Sequence, residues 1–223
     1  MCGRFTQRYT WQDINDLYGL FGAARNLQAH YNIAPTDTVE VVRSARDGAN
    51  QLVPMRWGLI PWWWKNRLKD LPPSFNARAE TVADKPMFRD AFERRRCVIP
   101  ASGYYEWKAA ADGRQPYFIS AADGGVLSFA GLWDSWKNPE AGESVVSCTI
   151  IVTDANPFTR TIHDRMPVVL DTADIKPWLT GAAGPELLRP AADGLLRMWP
   201  VSRRVNRSGV GDDDPTLIDE VAV

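Results

Sequence analysis

Four side chains of this 223-residue chain have the chemistry for covalent catalysis: a cysteine at position 2, an asparagine at 76, a glutamate at 106 and a histidine at 163. Cys2 stands directly behind the initiator methionine, in Met1-Cys2-Gly3-Arg4-Phe5. A small residue there permits removal of Met1, which would leave a free α-amine and a thiol within one residue. The amine titrates near ~7.7–8.0 and the thiol near ~8.5, so both offer nucleophile close to neutral pH. Such a 1,2-aminothiol can attack an aldehyde through nitrogen and close through sulfur to a five-membered thiazolidine. Alternatively, the thiol alone can attack an acyl carbon with its own amine as base. Position by itself leaves equally open that Cys2 is a small apolar residue in a frayed terminus.

The other three sites supply what such a nucleophile lacks. Glu106 sits between Tyr105 and Trp107 in a strand-like stretch, where alternation sets it on the face opposite its aromatic neighbours. His163 lies in Ile162-His163-Asp164-Arg165-Met166-Pro167, just before a strand, and Asn76 and Arg78 lie in Phe75-Asn76-Ala77-Arg78-Ala79-Glu80-Thr81. A nucleophile, a carboxylate, an imidazole and an amide suffice for proton transfer around a covalent intermediate. Each also has a plain structural reading. Periodicity favours Glu106 on a solvated outer face, His163 can be a hydrogen-bonding residue beside Asp164, and Asn76 can close a turn. Arg94-Arg95-Arg96 reads as a solvated helix end, favoured by the helix dipole. Spacing alone does not join the four sites into one pocket.

The elements that must position these residues are mostly strands. Thr10 reads as an N-cap, and Trp11, Ile14, Leu17, Tyr18 and Phe21 recur at helical spacing, predicting a helix over 11–21. A second helix is expected over 86–95, with Pro86 in its first turn, and a third from Asp171 to near Leu179, with a short helix at 185–188. Strands are expected at 39–42, 52–60, 97–99, 103–108, 116–120, 126–133, 144–153, 166–170 and 196–201. Asp47-Gly48, Asp112-Gly113 and Asp123-Gly124-Gly125 mark hairpin turns between neighbouring strands. No repeat or composition break divides the chain. The expectation is an α+β fold: one β-rich domain over 1–223, mostly antiparallel, forming a distorted barrel or open sandwich with a few flanking helices.

Composition bounds the partners. Hydrophobic residues make up 45% of the chain, enough for a core without disulfides. The three cysteines, Cys2, Cys97 and Cys148, have no C-x-x-C spacing, and the two histidines, His30 and His163, are far apart in sequence, so no zinc site is expected. There is no signal pattern, and no apolar run approaches the ~18 residues of a membrane span, so a soluble, cytoplasmic protein is expected. Net charge is −1, so any nucleic-acid binding must come from a local patch. The run Trp62-Trp63-Trp64, among ten tryptophans, cannot all point inward from a regular strand. At least one is expected exposed, as an aromatic platform would be.

Met1-Cys2-Gly3-Arg4-Phe5, Tyr31-Asn32-Ile33-Ala34-Pro35-Thr36, Trp57-Gly58-Leu59-Ile60-Pro61-Trp62-Trp63, Asn76-Ala77-Arg78-Ala79-Glu80-Thr81, Gly103-Tyr104-Tyr105-Glu106-Trp107-Lys108, Ile162 to Pro167 and Trp199-Pro200-Val201-Ser202 resemble, in that order, the successive motifs of the SRAP family. SRAP stands for SOS-response-associated peptidase, and the likeness runs from residue 2 to about residue 221. The resemblance implies a sensor and shield of abasic sites in single-stranded DNA, which forms a thiazolidine crosslink between Cys2 and the ring-opened sugar aldehyde. It also implies self-processing that exposes the cysteine. By matching motif, Cys2 would be the nucleophile through nitrogen and sulfur, Asn76 would hold the α-amine, Glu106 would move protons, and His163 would open the sugar ring and reverse the crosslink. Arg4, Arg78 and Arg165 would contact phosphates, Trp63 or Trp64 would stack on a base, and Pro35 and Thr153 would line the DNA path. Two departures, His30 and Pro86, touch phosphate contacts only, and Lys85 would supply the charge from a shifted position. A monomer needing neither metal nor organic cofactor is expected.

Three other functions compete. Glutamine amidotransferases with an N-terminal nucleophile also begin Met-Cys-Gly, and would release ammonia from glutamine. A cysteine protease would use Cys2, His163 and Glu106 on other polypeptides. A non-catalytic reader of modified bases would use the tryptophans as a cage and form no covalent product.

Overall fold

The computed structural model describes residues 2–140, 142–209 and 211–222. Its strands, in chain order, are β1 Phe5–Gln7, β2 His30–Ile33, β3 Thr38–Ser44, β4 Asn50–Trp57, β5 Asn76–Arg78, β6 Arg96–Ala101, β7 Gly103–Ala110, β8 Gly113–Ala121, β9 Leu127–Lys137, β10 Ser144–Asp154, β11 Arg165–Pro167 and β12 Leu196–Pro200. Three α-helices flank them: α1 Trp11–Tyr18, α2 Arg89–Arg94 and α3 Thr172–Thr180.

Five strands close on themselves in the order β10, β4, β3, β6, β9, with β9 pairing back to β10, so the ring has no free edge. Its pairings are antiparallel except β10 with β4. Two short strands, β5 and β11, attach to β10, in parallel and antiparallel fashion respectively. A second sheet runs β12, β8, β7, β1, β2. The main core cluster includes Cys2, Phe5 and Tyr104 from the second sheet with Cys97, Phe129, Cys148 and Ile150 from the ring. A second cluster packs α1, α2 and α3 against the other face of the same ring strands, with Ile14, Phe92 and Trp178 meeting Val42, Val98, Leu132 and Ile151. The expected mostly antiparallel, barrel-forming α+β fold is the one observed.

Local differences have local causes. The first helix ends at Tyr18 rather than residue 21, because Gly19 adopts the left-handed conformation (φ 60°) and its N–H caps Asn15 O. Its start is as expected: Thr10 and Asp13 form a reciprocal capping box. The second helix is confined to Arg89–Arg94, because residues 85–88 are spent on hydrogen-bonded turns. Asp123-Gly124-Gly125 does not close a hairpin. It carries the chain from β8 in one sheet to β9 in the other, and each strand pairs elsewhere. Of the three arginines expected at a solvated helix end, only Arg94 is solvated. Arg95 bridges Asp90 and Asp134, and the Arg96 guanidinium lies over the Phe92 and Trp178 rings, 4.7 and 4.6 Å from their centroids. Among the described residues, no helix is long and apolar enough to cross a membrane.

Candidate active site

Cys2 enters the interior because β1 is a central strand of the second sheet. β1 pairs antiparallel with β7 in the register Phe5↔Tyr104 and Thr6↔Gly103, and the Tyr105 N–H donates to Arg4 O at 3.0 Å. That register brings the segment before Phe5 alongside Glu106. Gly103 is needed where β7 packs on its other neighbour, β8: a Cβ there would sit 2.3 Å from Phe118 Cζ and 2.7 Å from Ile119 O. The Cys2 side chain is fully buried and its thiol donates weakly to Arg4 O at 3.9 Å. The frayed terminus is therefore excluded for Cys2. Met1 lies outside the described residues.

Glu106 is 3% exposed, against the solvated face that strand periodicity favours. Both faces of β7 are covered: Tyr104 joins the main core, while Tyr105 packs with Phe118, Val201 and Val205 under the C-terminal segment. Alternation still puts Glu106 opposite Tyr105, but opposite means the interior of the site. Burial is the largest influence on its carboxyl, which it pushes up to about 7 against the pull of the Trp107 N–H. Burial, and then the Glu106 charge, push the Cys2 thiol well up, so the sulfur rests protonated.

Asn76 opens β5 and pairs with Ile150 of β10. Its Nδ2 donates to Cys2 O at 2.8 Å, and its buried Oδ1 has no hydrogen-bond partner among the described residues. The side chain fixes the backbone of the nucleophile while an acceptor remains beside it, and it does not simply close a turn.

His163 precedes β11, whose pairing with β10 sets Arg165 opposite Asp154 and Met166 opposite Thr153. The Arg165 N–H donates to His163 Nδ1 at 3.0 Å. Burial first, opposed by Asp164 at 3.0 Å from Nδ1, holds the imidazole below its ordinary value. Nδ1 thus has a donor, the Arg165 N–H, and an acceptor, the Asp164 carboxylate, each at 3.0 Å, and a ring that accepts from Arg165 carries its proton on Nε2. Asp164 also raises the Glu106 carboxyl, though after burial, which places the two within electrostatic reach. Since β5 and β11 both flank β10, and β1 lies against β7, four segments distant in sequence converge on one site.

The predicted DNA contacts divide. Arg78 and Lys85 are exposed. Arg4 is half-buried, and its Nη1 donates to Asn32 Oδ1 and Val205 O at 2.5 and 2.7 Å, ties that hold the C-terminal segment against β2. Arg165 is paired with Glu80 and Asp154. Thr153 is buried on β10. Pro35 lines a groove of about 450 Å³ with Arg56, Lys69, Pro72, Pro73 and Phe75, next to Asn76 in sequence. His30 pairs with Asp212.

The tryptophan run lies in a loop, and its members differ. Trp62 is 59% exposed and Trp63 37%, while Trp64 is more covered and packs at 6.2 Å from Trp63. The most exposed ring was not singled out from sequence. Its signal was Pro61, which ends the preceding segment. Trp62 is nonetheless fixed, its backbone N–H bonded to Asp134 and its Nε1 to Asp90, both at 3.0 Å.

Comparison with known proteins agrees with the motif order. The SOS response associated peptidase (SRAP) family profile matches residues 1–208. The chain is 36% identical to the abasic site processing protein YoqW of Bacillus subtilis, over 98% of this chain and 99% of that one. It is 34% identical to the abasic site processing protein YedK of Escherichia coli, over 92% and 94% of the two chains. A crystal structure of a Bacteroides thetaiotaomicron protein superposes with a TM-score of 0.87 at 25% identity, covering 99% of this chain and all of that one. With its motifs in order, its N-terminal cysteine walled in by Asn76 and Glu106, and its near full-length relatives, the chain belongs to the SOS response associated peptidase (SRAP) family.

Proposed function

We propose that this protein processes abasic sites in single-stranded DNA by crosslinking to them, through a thiazolidine built on Cys2 once Met1 has been removed. The relatives named as abasic site processing proteins support the substrate, and the geometry supports the chemistry. His163, with its proton on Nε2, gives that proton to the ring oxygen of the closed sugar and recovers one through water from the C1′ hydroxyl, which exposes the aldehyde. The Cys2 amine, oriented by Asn76 Oδ1, attacks the aldehyde carbon. The carbinolamine hydroxyl takes a proton from solvent and leaves as water to give an iminium, a proton that Glu106 returns to solvent after closure. The sulfur then attacks the iminium carbon, its proton passes to the Glu106 carboxylate, and the C=N electron pair returns to nitrogen. One water is lost overall.

The observation that carries this reading is the fully buried Cys2 held by Asn76 beside a Glu106 carboxyl raised to about 7. A thiol protease needs a thiolate prepared in advance, and a thiol pushed up by burial is the opposite preparation. An amine that reacts first, with sulfur following, tolerates a neutral thiol. Trp62 and Trp63 serve as a stacking surface, Arg78 and Lys85 as exposed cations, and the Pro35 groove as the path of the strand. A net charge of −1 fits this local arrangement. We take the protein to act as a soluble monomer.

The test is incubation with a single-stranded oligonucleotide carrying one abasic site, followed by a denaturing gel. A denaturation-resistant adduct is expected, lost in Cys2→Ala and absent with the lesion-free oligonucleotide. Equal crosslinking to intact DNA would overturn the aldehyde mechanism, and glutamine hydrolysis lost in Cys2→Ala would replace it.

A further inference from the structure

Tyr104 carries a hydroxyl that the fold leaves without a use. It lies two residues before Glu106 on β7, so both side chains share a face, and it is registered opposite Phe5, three residues after Cys2. Its ring is fixed edge-on to Phe129, with centroids 5.9 Å apart and planes at 78°. The residue is fully buried, and its oxygen has no hydrogen-bond partner among the described residues. Buried hydroxyls almost always have one, and an exception asks for an explanation.

The neighbours supply it. After burial, the influences on this phenol are the charges of Cys2 first and Glu106 second, both of which raise it. The hydroxyl therefore stays a donor, on the strand face it shares with Glu106 and within electrostatic reach of both groups between which a proton must move. A neutral thiol is a weak acceptor, whereas a sulfur that has given up its proton is a strong one. We propose that the Tyr104 hydroxyl is the hydrogen-bond donor that stabilises the Cys2 sulfur as it loses its proton to Glu106 and closes on the iminium carbon. Tyr104 keeps its own proton throughout: the S–H proton goes to Glu106, a sulfur lone pair forms the S–C bond, and the C=N pair moves to nitrogen. A donor aimed in advance at charge that develops only during reaction is unsatisfied at rest. The inference rests on the thiazolidine reading above.

Tyr104→Phe keeps the ring and its packing and removes only the hydroxyl. The borohydride-trappable iminium should form at the wild-type rate, while closure to the borohydride-resistant thiazolidine should slow by roughly 10- to 100-fold. The pH dependence of closure should move upward. The thermal midpoint should hold or rise, because the deleted hydroxyl had no partner to lose. An unchanged closure rate and pH profile would overturn the inference, as would a lowered midpoint with both steps slowed in parallel, which marks a structural hydroxyl. The two levels separate cleanly: no adduct from the wild type sinks the thiazolidine reading, while a wild type that crosslinks and a Tyr104→Phe variant that matches it sink only the role of Tyr104.

Discussion

Replacing Glu106 with glutamine tests the site through stability, independently of DNA. The folded carboxyl is raised from 4.5 to about 7, chiefly by burial. The native state thus holds a proton that the unfolded chain has released, so stability is fullest below about pH 4.5 and falls as pH rises toward 7. At about 1.36 kcal/mol per pKa unit, the rise corresponds to about 3 kcal/mol lost by pH 8 through this one group. Glutamine keeps the shape and cannot ionise. The difference in unfolding free energy between Glu106→Gln and wild type should therefore shift by about 3 kcal/mol in favour of the variant between pH 4.5 and pH 8, other titrating groups cancelling. Urea titrations of both proteins across this range measure it. Crosslinking should move the opposite way: the wild type should gain rate as pH rises through about 7, where the carboxylate becomes able to take the sulfur's proton, and the variant should be slow throughout. A pH-independent stability difference would mean that Glu106 titrates as an ordinary carboxyl, and the base assigned to closure would be lost with it.

Three further perturbations reach other parts of the account. His163→Gln should slow crosslinking to a natural abasic site by about 10²-fold and leave a permanently open-chain aldehyde substrate unaffected; equal losses on both substrates would remove ring opening from its role. Trp62→Ala should weaken single-stranded DNA binding by about 1–3 kcal/mol in fluorescence anisotropy, with the thermal midpoint nearly unchanged because the ring is 59% exposed, and an unaltered Kd would exclude it as a platform. Gly103→Ala should cost at least about 1–3 kcal/mol by thermal or urea unfolding, since the new Cβ meets the Ile119 carbonyl at 2.7 Å; a neutral effect would show that β7 and β8 need no such close approach.

What could be read from the sequence tracks how local its physical cause is. The Thr10 cap and the barrel strands from 96 to 154 follow from capping chemistry and alternation, and they stand where expected within a few residues. Tertiary packing decided the rest. Glu106 read as solvated because one strand's alternation cannot say whether both faces are covered, and here Tyr104 and Glu106 turn to the main core while the segment holding Val201 and Val205 covers Tyr105 on the other side. Asp123-Gly124-Gly125 has hairpin chemistry but spans two sheets, a choice made by pairings distant in sequence. Arg96 has the charge of a helix end and the surroundings of a core residue, because α3 brings Trp178 over it. The four reactive side chains were visible as residue types, and the ordered motifs tied them together. Their convergence depends on β10 receiving both β5 and β11, which no spacing rule contains.

Intact mass spectrometry of the protein, alone and after incubation with a single-stranded oligonucleotide bearing one abasic site, tests the central claim most directly. The account predicts a free protein lacking Met1 and an adduct equal to that protein plus the oligonucleotide minus one water, with no adduct from Cys2→Ala. An adduct formed with Met1 retained, or one that persists in Cys2→Ala, would contradict a thiazolidine built from the amine and thiol of Cys2.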